Sequence, residues 1–276
     1  APDSVRSVTD AISGGMGSGM AYDVAIDAEH APYETRKLAG HAVPVGPDIG
    51  TARLAYRMWR DPRTKFSYPR LSRHPDAKVL ERVNGLLEQR HWQMSLAALA
   101  CKATAYTDGN PAAGTLGSHD EEVIQVDWLS SALMTVSESG SLYCGGAHPN
   151  NHFEPYTFDL LRGEYLDWNR VFDAYESDAQ GSRTESATLL EVVNAARNAL
   201  APADAAGAAD GESLEGCADL WPGFLALGAE APGMLSLSVS GVGHAQGICL
   251  GTHAAVPFKD LTPYLKPGGE AYLVVD

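Results

Sequence analysis

The segment SLYCGGAHPNNHFEPYTFDLLRGEYLDW, residues 141–168, decides the expected fold. A glycine-rich turn with two histidines, His148 and His152, precedes an alternating strand pattern that is interrupted at Arg162-Gly163. Alternation is typical of a half-buried strand, and a short glycine-containing break is typical of a hairpin. The segment therefore predicts a strand end, a loop and an antiparallel hairpin, with the histidines in a binding loop or at a catalytic or metal site.

Strand patterns recur on both sides of this hairpin, whereas helical periodicity is confined to 75–104 and 185–200. This order favours an α+β fold with antiparallel sheets and two main helices, in two lobes packed together, over an alternating parallel sheet. The other predicted strands cover 21–30, 36–46, 121–130, 132–139, 224–240 and the start of 249–265. Pro44 and Gly46 are expected to end the strand at 36–46, and a short helical turn is expected at Lys259–Leu265.

The domain organisation follows from composition. Residues 1–20 end in SGGMGSGM and predict a flexible tail. An N-terminal lobe over 21–118 would contain strands and the long helix 75–104, and a C-terminal lobe over 119–276 would contain the segment 141–168.

The formal net charge of −15 and the pI near 4.9 limit the classes of partner that this chain can bind. Nucleic-acid binding needs a basic surface, so we expect no nucleic-acid partner. A cationic partner fits the charge, although solubility alone is a common reason for acidity. No apolar run approaches the ~20 residues that span a bilayer, so we expect no membrane span in this chain.

Four cysteines, Cys101, Cys144, Cys217 and Cys249, contain no CxxC pair. This spacing predicts two disulfides, Cys101–Cys144 and Cys217–Cys249, in an oxidising compartment. Each bridge would contribute roughly 3–4 kcal/mol in the chain-entropy model. The alternative is four buried thiols in a cytosolic protein.

Residues 53–78 hold eight Lys or Arg and only two Asp, with four interleaved aromatic residues, and the basic-aromatic part is 53–73. This mixture can contact phosphate or sugar rings. It is more often a solvated segment whose aromatic residues anchor it to the core, and that is the structure we predict.

Catalytic signals are weak. His148 and His152 have i, i+4 spacing near Glu154, and His244 or His253 could complete a metal site, but glycine and proline around them argue against a helix. The chain has no HExxH, no GxSxG and no phosphate-binding glycine loop after a strand. We therefore predict no catalytic residue, no metal and no cofactor. A metal-dependent envelope hydrolase or deacetylase using His148, His152 and His244 stays as the alternative.

The segment YCGGAHPNNHFEPYTFDLLRGEYLDWNRVF resembles the Gly-Gly-Ala-His segment of a bacterial extracytoplasmic domain family. Residues 68–87 and 235–265 are similar to two further segments of that family, in the same order. The family includes the ectodomain of a lysozyme-sensing anti-sigma factor and an accessory domain of peptidoglycan deacetylases. The basic segment 53–66 and the four cysteines depart from its pattern.

The resemblance implies a periplasmic or secreted binding module without catalysis of its own, whose ligand is a lysozyme-like muramidase or peptidoglycan. The implied ligand-binding residues lie in two loops, namely Gly145, Gly146, His148, Asn150 and His152 in the first and Gly243 and His244 in the second. If both loops share one rim, they form a binding edge. A structural envelope protein without a ligand in these loops is a further alternative.

Overall fold

The computed structural model describes residues 42–107, 122–142, 150–177, 183–200, 217 and 219–275. They form two compact units, of which the first comprises 42–107 with 122, 140–142 and 150, and the second comprises the other described residues. Every sheet with a described register is antiparallel and helices are few, so the predicted α+β class is confirmed. The predicted tail 1–20 and strand 21–30 lie outside the described residues.

Three strands of the first unit form an antiparallel sheet in the order β1 (Val43–Gly50), β2 (Ala55–Arg60), β3 (Ser67–Arg73). The predicted end of a strand at Pro44 and Gly46 is wrong, because β1 continues through both residues. A register shift between Val45 and Ile49, with Gly46 at φ 70°, lets the edge strand accommodate its prolines.

The basic-aromatic segment is a β-hairpin. The predicted anchoring of aromatic residues in the core is confirmed for Phe66 and Tyr68, whereas Arg70 is buried rather than solvated. Strands β2 and β3 carry most of it, and Phe66, Tyr68 and Arg70 are buried. Asp61 shapes the turn, because its carboxylate accepts hydrogen bonds from the backbone N–H and the guanidinium of Arg63. Strand pairing and burial of the aromatic rings outweigh the cost of bringing the cations together.

Helix α1 (Ala77–Thr107) covers the free edge of β3 and confirms the predicted helix. Asp76 caps its start by accepting hydrogen bonds from the N–H groups of Lys78 and Val79. The side chain of Asn84 accepts a hydrogen bond from the Leu71 N–H and donates one to the Leu71 carbonyl oxygen, at 2.7 and 2.9 Å. One amide thus satisfies both backbone groups that the edge strand exposes at this position.

The second unit is built around two antiparallel sheets. The first has the order β4 (Val123–Leu129), β5 (Leu133–Leu142), β6 (Asn150–Asp159), β7 (Glu164–Tyr165), and the second β10 (Leu225–Glu230), β11 (Met234–Val239), β12 (Gly251–Pro257). A two-stranded ribbon, β8 (Tyr175–Ser177) and β9 (Arg183–Glu185), completes the strands. The predicted hairpin of residues 141–168 is confirmed, with Gly163 at φ 76° in its turn.

Helix α2 (Ala187–Leu200) confirms the second predicted helix. Ser186 caps it by accepting a hydrogen bond from the Leu189 N–H, and Leu189, Val192 and Val193 bury one face. The short helix α3 (Trp221–Phe224) places Trp221 in the core. A continuous apolar core joins these elements and includes Leu133, Phe172, Trp221, Leu235, Leu237 and Leu261.

Candidate functional site

An exposed loop between β11 and β12 is the candidate site in the second unit, and we call residues 241–250 the stapled loop. It contains a 3-10 helix, His244–Cys249, and backbone hydrogen bonds join Gln246 N–H to the Gly243 carbonyl and Leu250 N–H to the Gly247 carbonyl. Gly241 has φ 75°, a conformation that glycine adopts without strain. The loop therefore has a defined backbone conformation.

A disulfide between Cys217 and Cys249 anchors the stapled loop, which confirms this predicted pair. Both cysteines are buried within the apolar core. The imidazole of His253 donates a hydrogen bond to the Cys249 carbonyl oxygen, with 2.6 Å between Nε2 and the oxygen. Cys101 is also disulfide-bonded, whereas its predicted partner Cys144 lies outside the described residues.

The surface of the stapled loop combines one anchored and several exposed side chains. Val242 is buried, whereas Gly243, His244 and Gln246 are exposed. Ile248 is 61% exposed, among the most exposed of the large apolar side chains in the described residues. The loop therefore presents an apolar side chain, an imidazole and an amide from a fixed backbone.

The start of β6 lies beside the stapled loop. The Asn151 side chain is so close to Gly247 that a Cβ added to this glycine would be 2.9 Å from Asn151 Nδ2. His152, the next residue, is half-buried. The structure thus brings the end of the predicted histidine loop to the second predicted loop. Ile248 and Gln246 were missed, because an exposed position in a loop leaves no periodic signal in the sequence. Asn151 was missed because its closeness to Gly247 depends on how β6 and the stapled loop pack.

Most of the predicted ligand-binding residues of the first loop fall outside the part of the chain that the structure describes. Gly145, Gly146 and His148 lie outside the described residues, as does the side chain of Asn150. Within the described part of the chain, no group of three or more His, Cys, Asp or Glu side chains could hold a metal ion. The metal-dependent alternative therefore gains no support from His152 or His244.

Charge is distributed very unevenly along the chain. The sequence ranges of the second unit, 123–139 and 151–276, hold 20 acidic and 6 basic residues, a net charge of −14. In contrast, residues 42–107 of the first unit hold 5 acidic and 11 basic residues, a net charge of +6. The full sequence range of the first unit, 1–122 and 140–150, holds 15 acidic and 14 basic residues, a net charge of −1, so nearly all of the chain's net charge of −15 belongs to the unit that carries the stapled loop.

Two carboxylates of the second unit interact unfavourably. Asp127 is the extra residue of a register shift in β4, and burial raises its pKa although Ser137 and Gln125 donate hydrogen bonds to it. Burial and the neighbouring charge of Asp127 raise the pKa of Glu230. Their proximity disfavours two negative charges and favours proton uptake as the pH falls.

The first unit contains a buried polar cluster. Arg70 is 6% exposed, and its nearest carboxylate is that of Glu88, with 3.6 Å between Nε and Oε1. The imidazole of His91 donates from Nε2 to the Phe66 carbonyl oxygen, and its Nδ1 lies 3.4 Å from an Arg70 guanidinium nitrogen. Burial and the charge of Arg70 lower the pKa of His91 to about 4, so this imidazole is neutral.

A narrow cavity adjoins this cluster. Its volume is about 10 Å³, room for about one water molecule, and its lining includes Arg70, His91, Trp92, Glu88, Asp61 and Ser95. Burial lowers the pKa of Arg70 to about 10, yet the guanidinium stays charged at neutral pH. Burial alone would raise the pKa of Asp61, but the hydrogen bonds and charge of Arg63 lower it.

Comparison of the chain with protein-family models and with curated proteins gave no match. No helix within the described ranges is both long enough and apolar enough to cross a bilayer.

Proposed function

We propose that this protein is an exported, non-catalytic binding module of the bacterial envelope, and that its second unit binds a cationic, lysozyme-like muramidase. The observation that carries the proposal is the stapled loop, an exposed and disulfide-anchored segment on a unit with a net charge of −14. The resemblance of residues 141–172 to the Gly-Gly-Ala-His family supports the same class of partner.

The disulfide supports export. Structural disulfides persist in oxidising compartments such as the periplasm and the extracellular space. The bond joins residues 32 positions apart, on either side of two core strands, so reduction would release the loop from its anchor. A periplasmic or secreted location provides the conditions that this anchor needs.

The charge distribution supports a cationic partner. Complementary charge accelerates encounter and acts mainly on the association rate. At physiological salt the Debye length is about 8 Å, so charges far from the contact contribute little to the bound complex. Specificity must then come from side chains at the contact, and we assign this role to Ile248, His244 and the neighbouring Asn151.

A fixed loop suits tight binding. Immobilising a flexible loop on association costs free energy, and a loop already held by a disulfide and by Val242 in the core avoids part of this cost. An acidic module whose loop enters the substrate cleft of a muramidase would also inhibit it. Sensing and inhibition therefore share one contact surface.

The test is titration of a cationic c-type lysozyme against the protein by calorimetry, at about 0.02 M and about 0.15 M salt, followed by muramidase assays. We expect a stoichiometric complex that weakens with salt and loses lytic activity. Peptidoglycan fragments are titrated in parallel to identify a wall ligand instead. Absence of a complex with lysozyme at both salt concentrations would refute the proposed partner.

Two matched variants locate the contact. Ile248→Ser removes an exposed apolar side chain from the stapled loop, and Leu161→Ser removes a comparably exposed one, 48% against 61%, elsewhere in the second unit. We expect only Ile248→Ser to weaken the complex, mainly through faster dissociation. Equal affinities for the two variants would remove the stapled loop from the contact. His148→Ala tests the first predicted loop in the same assay.

A further inference from the structure

We propose that a cleft in the second unit binds a short apolar peptide with a free amine and a free carboxylate. The cleft lies at the end of the β10–β11–β12 sheet where Met234 pairs with Pro257, whereas the stapled loop lies at the end where Val239 pairs with Gly251. The proposal therefore concerns a different surface from the muramidase contact and does not depend on it.

The size and the lining of the cleft suit an apolar ligand. Its volume is about 600 Å³, within the range of about 300–1,000 Å³ that is typical of ligand pockets. Its ten lining residues all belong to the described part of the chain. Six of them have apolar side chains, namely Pro232, Pro257, Phe258, Leu265, Leu273 and Val275. Val275 is 62% exposed, so a ligand in the cleft would cover an apolar side chain that water now contacts.

Backbone contacts hold the walls of the cleft in place. The Phe258 N–H donates to the Gly233 carbonyl oxygen at 2.9 Å, which joins the β10–β11 turn to the end of β12. The third wall contains the 3-10 helix Gly269–Ala271. Gly269 packs so closely on Val171 that an added Cβ would be 2.2 Å from the Val171 carbonyl oxygen. The cleft is therefore formed before a ligand arrives, which lowers the free-energy cost of binding.

Lys259 provides a contact for a carboxylate. The second unit contains six basic residues, namely Arg162, Arg170, Arg183, Arg197, Lys259 and Lys266. The last of these and three of the arginines form ion pairs with carboxylates, and Arg162 interacts with Tyr272. Among the six, Lys259 alone has no ion pair within the described residues, although the unit holds 20 acidic residues. Its exposed ammonium group lines the cleft and is available to a ligand.

Glu270 provides a contact for an amine and selects the class of ligand. Its exposed carboxylate lines the same cleft, and it forms no ion pair with any residue that the structure describes. A ligand with only a carboxylate would be repelled by the net charge of −14, and a ligand with only an amine would find carboxylates all over the unit. A zwitterion with an apolar body uses both charges and the apolar lining, which favours a short peptide over a fatty acid or an alkylamine.

The test is calorimetric titration of the full chain with the tripeptide Leu-Ala-Leu. Three control ligands each lack one feature: N-acetyl-Leu-Ala-Leu lacks the amine, Leu-Ala-Leu amide lacks the carboxylate, and Gly-Gly-Gly lacks the apolar side chains. Free leucine keeps both charges on a smaller body and distinguishes an amino acid from a peptide. We expect Leu-Ala-Leu to bind most tightly of the five ligands and Gly-Gly-Gly to show no binding.

Variants of the two charged residues assign the contacts. Lys259→Gln should weaken Leu-Ala-Leu binding about fivefold, the effect of one exposed ion pair, and should not change the affinity of the amide. Glu270→Gln should weaken Leu-Ala-Leu binding to a similar extent and should not change the affinity of the acetylated peptide. Glu191→Gln makes the same change of charge at an exposed position of α2, outside the lining, and should leave every affinity unchanged.

Both charge variants alter exposed side chains, so the fold is kept and each outcome decides the proposal. Failure of Leu-Ala-Leu to bind, tighter binding of leucine than of the tripeptide, or an equal loss of affinity for the peptide and its amide in Lys259→Gln would overturn it. Self-association that Val275→Ser abolishes, measured by sedimentation, would assign the cleft to a second copy of the chain and would also overturn it.

Discussion

The two units of this protein are stabilised in different ways. In the first, α1 and the β2–β3 hairpin bury apolar side chains such as Tyr68, Val83 and Leu87. Polar contacts of the buried Arg70 and His91 and of the half-buried Asn84 also join α1 to the hairpin or its backbone. In the second, a continuous apolar core joins two sheets and a helix, and a disulfide closes it. Buried ionisable groups make the stability of both units depend on pH, whereas the disulfide makes the stability of the second unit depend on redox state as well.

The units also differ in charge, with a net of −1 over the sequence ranges of the first unit and −14 over those of the second. A cationic partner suits the second unit, whereas the first is close to neutral. The comparison implies that charge steers a cationic partner towards the second unit rather than the first.

The largest expected effect is loss of the Cys217–Cys249 bond. Changing both residues to Ser should destabilise the second unit by about 3–4 kcal/mol, because the unfolded chain regains the entropy of a loop of this length. Urea unfolding with hydrogen exchange resolved for each unit measures the change. Loss of protection in residues 42–107 as large as in the second unit would contradict the separation of the two.

A fall in pH should act on the two units in opposite directions. His91 has an ordinary pKa of 6.5 and a folded pKa of about 4. The neutral His91 contributes fully to the free energy of unfolding of the first unit above pH 6.5. This contribution is lost as the pH falls towards 4, by at most about 3 kcal/mol. The raised pKa values of Asp127 and Glu230 have the opposite sign, because the folded second unit takes up protons more readily.

Hydrogen exchange at several pH values, corrected for intrinsic rates, measures the slope of the free energy of unfolding against pH for each unit. His91→Gln keeps a donor for the Phe66 carbonyl and should flatten the slope of the first unit. Glu230→Gln should flatten that of the second. Parallel slopes in both units of the unmodified protein would contradict the assignment of these groups.

A smaller effect is expected at the edge of β3. Asn84→Ala leaves the N–H and carbonyl of Leu71, which is 3% exposed, without their side-chain partner. We expect a loss of about 2 kcal/mol in the first unit, from unsatisfied backbone groups. Asn84→Asp is the matched control, since it keeps the acceptor but not the donor, and should give an intermediate value in urea unfolding.

The smallest expected effect is an increase in the free energy of unfolding of the first unit. Lys65 has φ 69° in the β2–β3 turn, a conformation that costs free energy for residues other than glycine. Lys65→Gly should stabilise the first unit by about 0.5 kcal/mol, after the added entropy of the unfolded glycine is deducted. Lys65→Ala keeps the strain and should not stabilise the protein in the same unfolding assay.

Periodic features of the sequence predicted much of the fold. Helices α1 and α2, the hairpin of 141–168 and the Cys217–Cys249 pair follow from helical spacing, alternation and even cysteine count. The extent of β1 and the hairpin of residues 55–73 did not, because prolines and dense cations are unfavourable in strands by local propensity, and only tertiary packing overrides this.

The sites were less predictable. Gly243 and His244 were chosen from the sequence, but the exposure of Ile248 and the contact of Asn151 with Gly247 depend on the loop backbone. The Arg70 cavity combines residues from β3 and α1 whose proximity has no local signature, so a buried arginine could not be distinguished from the exposed ones around it.

The most direct measurement for the proposed muramidase contact is hydrogen exchange of the full chain with and without saturating lysozyme. Slower exchange concentrated in residues 241–250 and at the start of β6, weakened by Ile248→Ser, is the predicted result. Slower exchange confined to residues 43–73, or no change on adding lysozyme, would contradict a binding role for the stapled loop.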